Sequence, residues 1–182
     1  TVTLSDLLQG YTDAEGDTLN IASLNASNGS IVDNGNGTFT ITPSLNFNGL
    51  VNLSYNVVDG NGGITAATQS YTLDPVNDAP TTSPVTLTAI AEDSGARLIT
   101  QAQLLANATD VDGPSLTATS LAITSGNGSL VDNGNGTWTY TPALNDDTAV
   151  SFSYLITDGA LSVAASATLD ITPVNDAPTA NN

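Results

Sequence analysis

Apolar and polar residues alternate with a period of two over much of this chain. Val150, Phe152, Tyr154 and Ile156 are interleaved with Ser151, Ser153, Leu155 and Thr157, and Val51, Leu53, Tyr55 and Val57 repeat the pattern earlier. Thr137-Trp138-Thr139-Tyr140-Thr141 alternates again and matches Thr38-Phe39-Thr40-Ile41-Thr42. Such alternation marks strands with one face in a core and one in water. Asn-Gly pairs at 34–35, 36–37, 133–134 and 135–136 lie between apolar strands, a strong short-range hairpin signal. Only residues 5–10 and 100–107 carry a pattern compatible with a helical turn. Short strands with turn signals at regular spacing predict an antiparallel sandwich.

The chain also repeats itself. Val32-Asp33-Asn34-Gly35-Asn36-Gly37-Thr38 returns 99 residues later as Val131 to Thr137, and Pro75-Val76-Asn77-Asp78-Ala79-Pro80-Thr81 returns after 98 as Pro173 to Thr179. Leu7, Leu8 and Asp13 match Leu104, Leu105 and Asp110 at spacing 97. Self-similarity at a fixed period is the signature of a repeat architecture. The expected fold class is all-β: tandem antiparallel Greek-key β-sandwiches of about seven strands each. In the second copy the strands are expected near 84–90, 97–107, 115–124, 128–132, 136–141, 149–157 and 161–172. The expected boundaries are 1–77 for a module lacking its first strand, 78–176 for a complete module, and 177–182 for the stub of a third. A window cut from a longer tandem array fits this phase, and fits a chain without Met.

Composition narrows the function. The 182 residues include one basic side chain, Arg97, and no His or Cys, against 16 Asp and 2 Glu, for a formal net charge of −17. One Arg cannot neutralise a phosphate backbone or an anionic bilayer, so nucleic acid and membrane surfaces are not expected partners. Without His, Cys or Lys there is no Ser-His-Asp or Cys-His catalysis, zinc site, disulfide or Schiff base. The first residues, TVTLSDLL, have no signal-peptide pattern, and no stretch approaches a bilayer span. Apolar residues make up 40% and charged ones only 10%, enough to bury a core rather than stay disordered. The bias to Asp places the carboxylates in turns, caps or oxygen-ligand metal sites rather than on helices.

In a Greek-key sandwich, alternate loops gather at opposite ends. Asp110-Val111-Asp112-Gly113 and Asp158-Gly159 belong at the upstream end of the second module, beside Asn77 and Asp78. Glu92 and Asp93, with Asp146 and Asp147, belong at the downstream end, beside Asn175 and Asp176. Clustered carboxylates without Lys or Arg call for a bound cation, and hard oxygen ligands on flexible loops favour Ca²⁺. The alternative is that these residues only form Asx turns and keep the surface soluble; that reading suits Asp33 and Asp132, which precede Asn-Gly turns.

The marks Ala91-Glu92-Asp93, Asp110-Val111-Asp112-Gly113, Thr157-Asp158-Gly159 and the twice-met Pro-Val-Asn-Asp-Ala-Pro resemble the cadherin-like tandem repeats of large, type I secreted RTX-type bacterial surface adhesins. The resemblance covers almost the whole chain. It implies calcium between successive modules, held here by Asn77, Asp78, Asp110, Asp112 and Asp158. Two half-sites would remain: Asp13, Glu15, Asp17 and Asp59 upstream, and Glu92, Asp93, Asp146, Asp147 and Asp176 downstream. The sequence departs from the cadherin linker at Pro75 and Ala79, and Phe47 and Asn48 stand where the second module has Asp146 and Asp147. One or two ions are therefore expected rather than three.

The implied role is an extender of an extracellular adhesin at the bacterial surface, supporting adhesion or biofilm formation. Its expected partners are neighbouring modules of the array. The competing reading is a carbohydrate- or protein-binding sandwich of a secreted protein. Trp138 and Tyr140 would be its sugar-stacking candidates, but Phe39 and Ile41 at the matching places argue for core. A glycosidase carboxylate pair is disfavoured because every acidic cluster is accounted for by the module ends. No catalytic role is expected.

Overall fold

The computed structural model describes residues 1–113 and 115–178, and the chain divides into two compact units, Thr1–Val76 and Asn77–Asn182. The last residues of the expected stub, 179–182, lie outside the described residues.

The first unit contains β1 (Val2–Thr3), the short helix α1 (Leu4–Leu7), β2 (Asn20–Ala26), β3 (Ser30–Asp33), β4 (Thr38–Thr42), β5 (Gly49–Val58) and β6 (Ile64–Leu73). They form two three-stranded sheets, ordered β1-β4-β3 and β2-β5-β6. The alternation in β5 buries Val51, Leu53, Tyr55 and Val57, which with Leu7 and Ala67 make the core. Phe39, Ile41, Tyr71 and Leu73 pack against it half-buried.

The second unit contains β7 (Val85–Ala91), β8 (Arg97–Thr100), helix α2 (Gln101–Leu104), β9 (Thr117–Ser125), β10 (Ser129–Asp132), β11 (Thr137–Thr141), β12 (Val150–Thr157) and β13 (Ser162–Thr172). Its sheets run β10-β11-β8 and β7-β13-β12-β9. The core is larger: Trp138, Tyr140, Phe152, Tyr154, Ile156 and Leu169 are all buried, and the rings of Tyr140 and Phe152 meet edge to face at 5.7 Å. Trp138 and Tyr140 are thus interior side chains.

Two expectations need correction. The strand expected over 97–107 ends at Thr100. There a capping box turns the chain into α2: Thr100 N–H donates to Gln103 Oε1 at 3.0 Å, and the Gln103 amide returns to Thr100 Oγ1. And one pairing is not antiparallel: β7 runs parallel to β13, with Val85 opposite Ala167 and Leu87 opposite Leu169. The strands between them supply the long crossover a parallel pair requires.

Both units carry the same local distortions. Ser23 and Ser120 sit at φ 56° and 58° where β2 and β9 bulge against β5 and β12. Two residues on one strand, Ser23 and Leu24 or Ser120 and Leu121, oppose one on the other, Tyr55 or Tyr154, which bends the strand and re-aims the residues beyond the bulge.

Candidate metal centres at the sandwich ends

In the first unit, two loops build the acidic cluster. Asp13 Oδ1 accepts the amides of Glu15 at 2.9 Å and Asp17 at 3.0 Å, and this curls the loop back on itself. Gly16, at φ 83°, permits the curl. Asp59 Oδ1 accepts the amides of Asn61 at 2.8 Å and Gly63 at 2.9 Å, forming the second loop. Asn61 Nδ2 donates to Asp17 Oδ2 at 2.7 Å and ties the two loops together. As a result, Asp13, Asp17 and Asp59 each offer a carboxylate oxygen within 4.8 Å of the others, and all three are half-buried. Glu15 is exposed and lies outside this convergence; its contribution is the amide that shapes the turn.

Three carboxylates this close repel one another by about 1 kcal/mol per pair in water at ~5 Å, and by more where solvent is partly excluded. Residues 1–76 contain no Lys, Arg or His to offset this. The amides do part of the work. The Asn61 N–H, foremost, holds the Asp59 carboxyl below the usual carboxylate range. A Cβ at Gly63 would run into the Asp59 carboxylate, so only glycine leaves that group its place.

The second unit repeats the theme with different partners. Asp110 Oδ1 accepts the Asp112 amide at 2.9 Å, while Asp110 Oδ2 is buried with no hydrogen-bond partner. Asp112 Oδ2 accepts the Asp78 amide at 2.7 Å, and Asn77 Nδ2 donates to Asp158 Oδ2 at 2.8 Å. Asp158 Oδ1 accepts the amides of Ala160 and Leu161. The Leu161 amide, then Asn77, keeps the Asp158 carboxyl on the acidic side of normal. Thr81 and Thr109 exchange backbone hydrogen bonds at 2.8 and 2.9 Å, pinning the segment that carries Asn77 and Asp78. The structure thus brings Asn77 to Asp158 and Asp78 to Asp112. A three-oxygen convergence like that of the first unit is not found here among the described residues. Amide donors occupy Asp112 Oδ2 and both Asp158 oxygens, and the place of Asp17 in the repeat is held by Pro114.

At the downstream end, Glu92 is buried, 8% exposed, and its Oε1 accepts the Val174 amide at 2.7 Å. Glu92, Asp93 and Asp176 line one concavity of about 400 Å³ with Thr141, Pro142 and Asn145. Asp147 is exposed and outside that lining. Asp146 is engaged with Thr148 and Asn127, and Thr148 foremost lowers its carboxyl's affinity for a proton. Arg97, the one basic side chain, donates from Nη1 to the Thr88 carbonyl oxygen. Asp33 and Asp132 each accept the amide two residues on at 2.8 Å, the Asx turn expected of them.

Asn61 and Asn127 are the participants that sequence reasoning did not single out. The repeat gives no signal for Asn61, since its counterpart is Ala160 in a turn one residue shorter.

The donor sets fit a hard cation. All the side-chain donors are oxygens, a convergent trio stands on two loops, and Asp110 Oδ2 is buried without a partner. Asp13, Asp17 and Asp59 would hold it in the first unit, and Asp110, with Asp112 and Asp158 beside it, in the second.

The fold defines a tandem pair of sandwiches of immunoglobulin-like topology. The family model for the cadherin-like domain matches residues 1–74 and again 76–172, so the chain belongs to the cadherin-like domain family. No curated protein matches it. Among solved structures, human protocadherin-24 EC1-2 is 10% identical over 90% of this chain and 86% of its own, with a TM-score of 0.52. The endo-fucoidan hydrolase MfFcnA4 of glycoside hydrolase family 107 is 21% identical over 85% of this chain, with a TM-score of 0.35; the chain spans 24% of its length. Yersinia pseudotuberculosis InvD is 18% identical over 93% of this chain and 53% of its own, with a TM-score of 0.27.

Proposed function

We propose that this chain is a calcium-stiffened extender segment of a repetitive, type I secreted RTX-type adhesin, exposed at a bacterial surface and free of catalytic activity. The observation that carries the reading is the convergence of Asp13, Asp17 and Asp59 in a unit that has no basic side chain to neutralise them. Calcium bound there, and at Asp110, Asp112 and Asp158, draws the loops together and orders the segment 77–81. Neighbouring modules of the array are its partners, and the stiffened array carries adhesion or biofilm contacts made elsewhere. Among the described residues no helix is long and apolar enough to cross a membrane. Trp138 and Tyr140, the aromatic residues a sugar site would use, are 3% and 1% exposed, which weighs against carbohydrate binding through them.

Calorimetric titration of the chelator-stripped chain with calcium tests the proposal. Extracellular modules bind at ~10⁻⁴–10⁻³ M, so sites of that strength stay empty before export and fill outside. The expected result is saturable binding in that range. Absence of binding up to ~10 mM, tenfold beyond that range, overturns the calcium assignment. Affinity tighter than about micromolar, the reach of intracellular sensors, overturns the extracellular timing.

A further inference from the structure

The β3–β4 and β10–β11 turns read Asp-Asn-Gly-Asn-Gly-Thr at 33–38 and at 132–137, so each holds two Asn-Gly pairs. The structure treats the two pairs of a turn differently, and does so alike in both units. In the leading pair the glycine amide is engaged: Gly35 N–H donates to Asp33 Oδ1 and Gly134 N–H to Asp132 Oδ1, each at 2.8 Å. The side-chain amide is engaged as well. Asn34 Nδ2 donates to Thr38 and Thr40 Oγ1 at 2.9 and 3.1 Å, and Asn133 Nδ2 to Thr137 and Thr139 Oγ1 at 3.0 and 3.1 Å. In the trailing pair the pattern inverts. Asn36 Oδ1 accepts both the N–H and the Oγ1 hydroxyl of Thr38, at 3.2 and 2.7 Å, and Asn135 Oδ1 accepts the same two donors of Thr137 at the same distances. The N–H groups of Gly37 and Gly136 have no hydrogen-bond partner among the described residues. Asn36 and Asn135 are exposed to water.

We propose that Asn36 and Asn135 are self-modification sites, where the chain deamidates through a cyclic imide, while Asn34 and Asn133 in the same turns are held inert. The Gly37 nitrogen attacks Asn36 Cγ and gives up its proton. The N–Cγ bond forms, the Cγ–Nδ2 bond breaks, and ammonia leaves carrying that proton. Water then opens the imide at either carbonyl, giving aspartate or isoaspartate with no other reactant. Negative charge builds on Oδ1 during the attack, where the two Thr38 donors already sit, and donors placed at a developing oxyanion lower the barrier. Gly136, Asn135 and Thr137 repeat the arrangement. In the leading pairs the nucleophile is stalled, because an N–H held by a carboxylate gives up its proton less readily beside that negative charge. Each conversion adds negative charge to a chain that already carries −17. Isoaspartate also adds a main-chain methylene directly before Gly37, whose carbonyl oxygen accepts the Leu4 N–H at 2.8 Å at the start of α1.

The test incubates the full chain in chelator at mildly alkaline pH, folded and in urea, and follows the four asparagines by mass spectrometry of peptides cut in acid. The mass gain from amide to acid reports conversion, and chromatographic splitting into aspartate and isoaspartate forms reports the imide. In the folded chain Asn36 and Asn135 are expected to convert at least about tenfold faster than Asn34 and Asn133, less than one well-placed oxyanion donor is worth. In urea the four rates are expected to converge. Thr38→Val removes one donor and is expected to slow Asn36 severalfold, while Asn135 in the same chain keeps its rate. Asp33→Ala frees the Gly35 N–H and is expected to speed Asn34 while Asn133 keeps its rate. If either variant unfolds its unit, the comparison of folded and urea-treated parent decides alone. The proposal is overturned by no conversion at Asn36 and Asn135, by equal rates at all four sites in the folded chain, or by an unchanged ranking in urea, which would assign it to the sequence instead. An Asn36 rate untouched by Thr38→Val in a folded chain overturns it too. No metal takes part, so its failure and that of the calcium proposal are read separately.

Discussion

The buried Tyr154 hydroxyl donates to the Leu104 carbonyl oxygen at 2.8 Å, and Tyr55 makes the same bond to Leu7 at 2.7 Å in the first unit. Each bond satisfies a carbonyl at the end of a one-turn helix, where no intrahelical partner exists. Each also clamps that helix, and the loop of aspartates after it, to an inner strand of the opposite sheet.

Tyr154→Phe removes the donor and leaves the Leu104 carbonyl buried without it. A loss of about 1–3 kcal/mol is expected, the penalty for one unsatisfied buried acceptor. Thermal unfolding of the second unit should fall by several degrees, at roughly 4–8 °C per kcal/mol for a domain of this size. An unchanged midpoint would show that the clamp carries no weight.

Ser120 at φ 58° occupies backbone that L-residues avoid, and it is exposed, so packing does not compensate. Ser120→Val brings a β-branched side chain to that conformation and is expected to cost about 1–2 kcal/mol. Ser120→Gly should stay within ~0.5 kcal/mol of the parent, since relief of strain offsets glycine's larger unfolded freedom. Urea unfolding of the two variants separates them.

The acidic limb of stability follows from Asp59 and Asp158. Backbone amides lower both carboxyls in the folded state, those of Asn61 and Leu161 first. A group whose folded value is depressed stabilises above its unfolded value, near ~3.9 for Asp, and loses that contribution as pH falls through the folded value. In chelator, the melting temperature should hold nearly level from about pH 7 to 5 and drop below about pH 4. Asp158→Asn should flatten part of that drop. A decline beginning near neutral pH would point to other groups.

Much of this architecture was legible in the chain. The period of two in β5 and β12 placed the core faces, and the Asn-Gly pairs placed the β3–β4 and β10–β11 turns. Two features were not legible. The pattern over 100–107 allowed a helical turn, but where the strand gives way to it is set by the capping box of Thr100 and Gln103, which the alternation of apolar residues does not record. The direction of β7 depends on which edge of the opposite sheet it reaches, a tertiary matter. At the candidate sites the residue types and loops could be read from sequence, but which oxygens converge could not. Asp17 joins Asp13 and Asp59 because Gly16 and the amide bonds to Asp13 curl the loop, and Asn61 secures it. Glu15, the closer match to Asp112, is turned outward instead.

Gly63→Ala probes the first unit's site without removing a carboxylate. The added Cβ displaces the Asp59 side chain, the mobile end of a flexible group, rather than backbone. Stability in chelator should fall modestly, because the displaced carboxylate loses the Asn61 and Gly63 amides it accepts. Calcium affinity in that unit should fall severalfold, seen by titration. Equal affinity for parent and variant would remove Asp59 from the site.

The most direct test of the calcium account is thermal unfolding of the parent, Asp59→Asn and Asp33→Asn, each in millimolar calcium and in chelator. Ligand at about tenfold its dissociation constant adds roughly 1.4 kcal/mol to the folded state. The parent and Asp33→Asn should therefore melt several degrees higher in calcium than in chelator. Asp59→Asn should lose most of that gain in the first unit while matching the parent in chelator more closely. If all three chains melt alike in calcium and in chelator, the aspartates only carry solubilising charge, and the calcium assignment is contradicted.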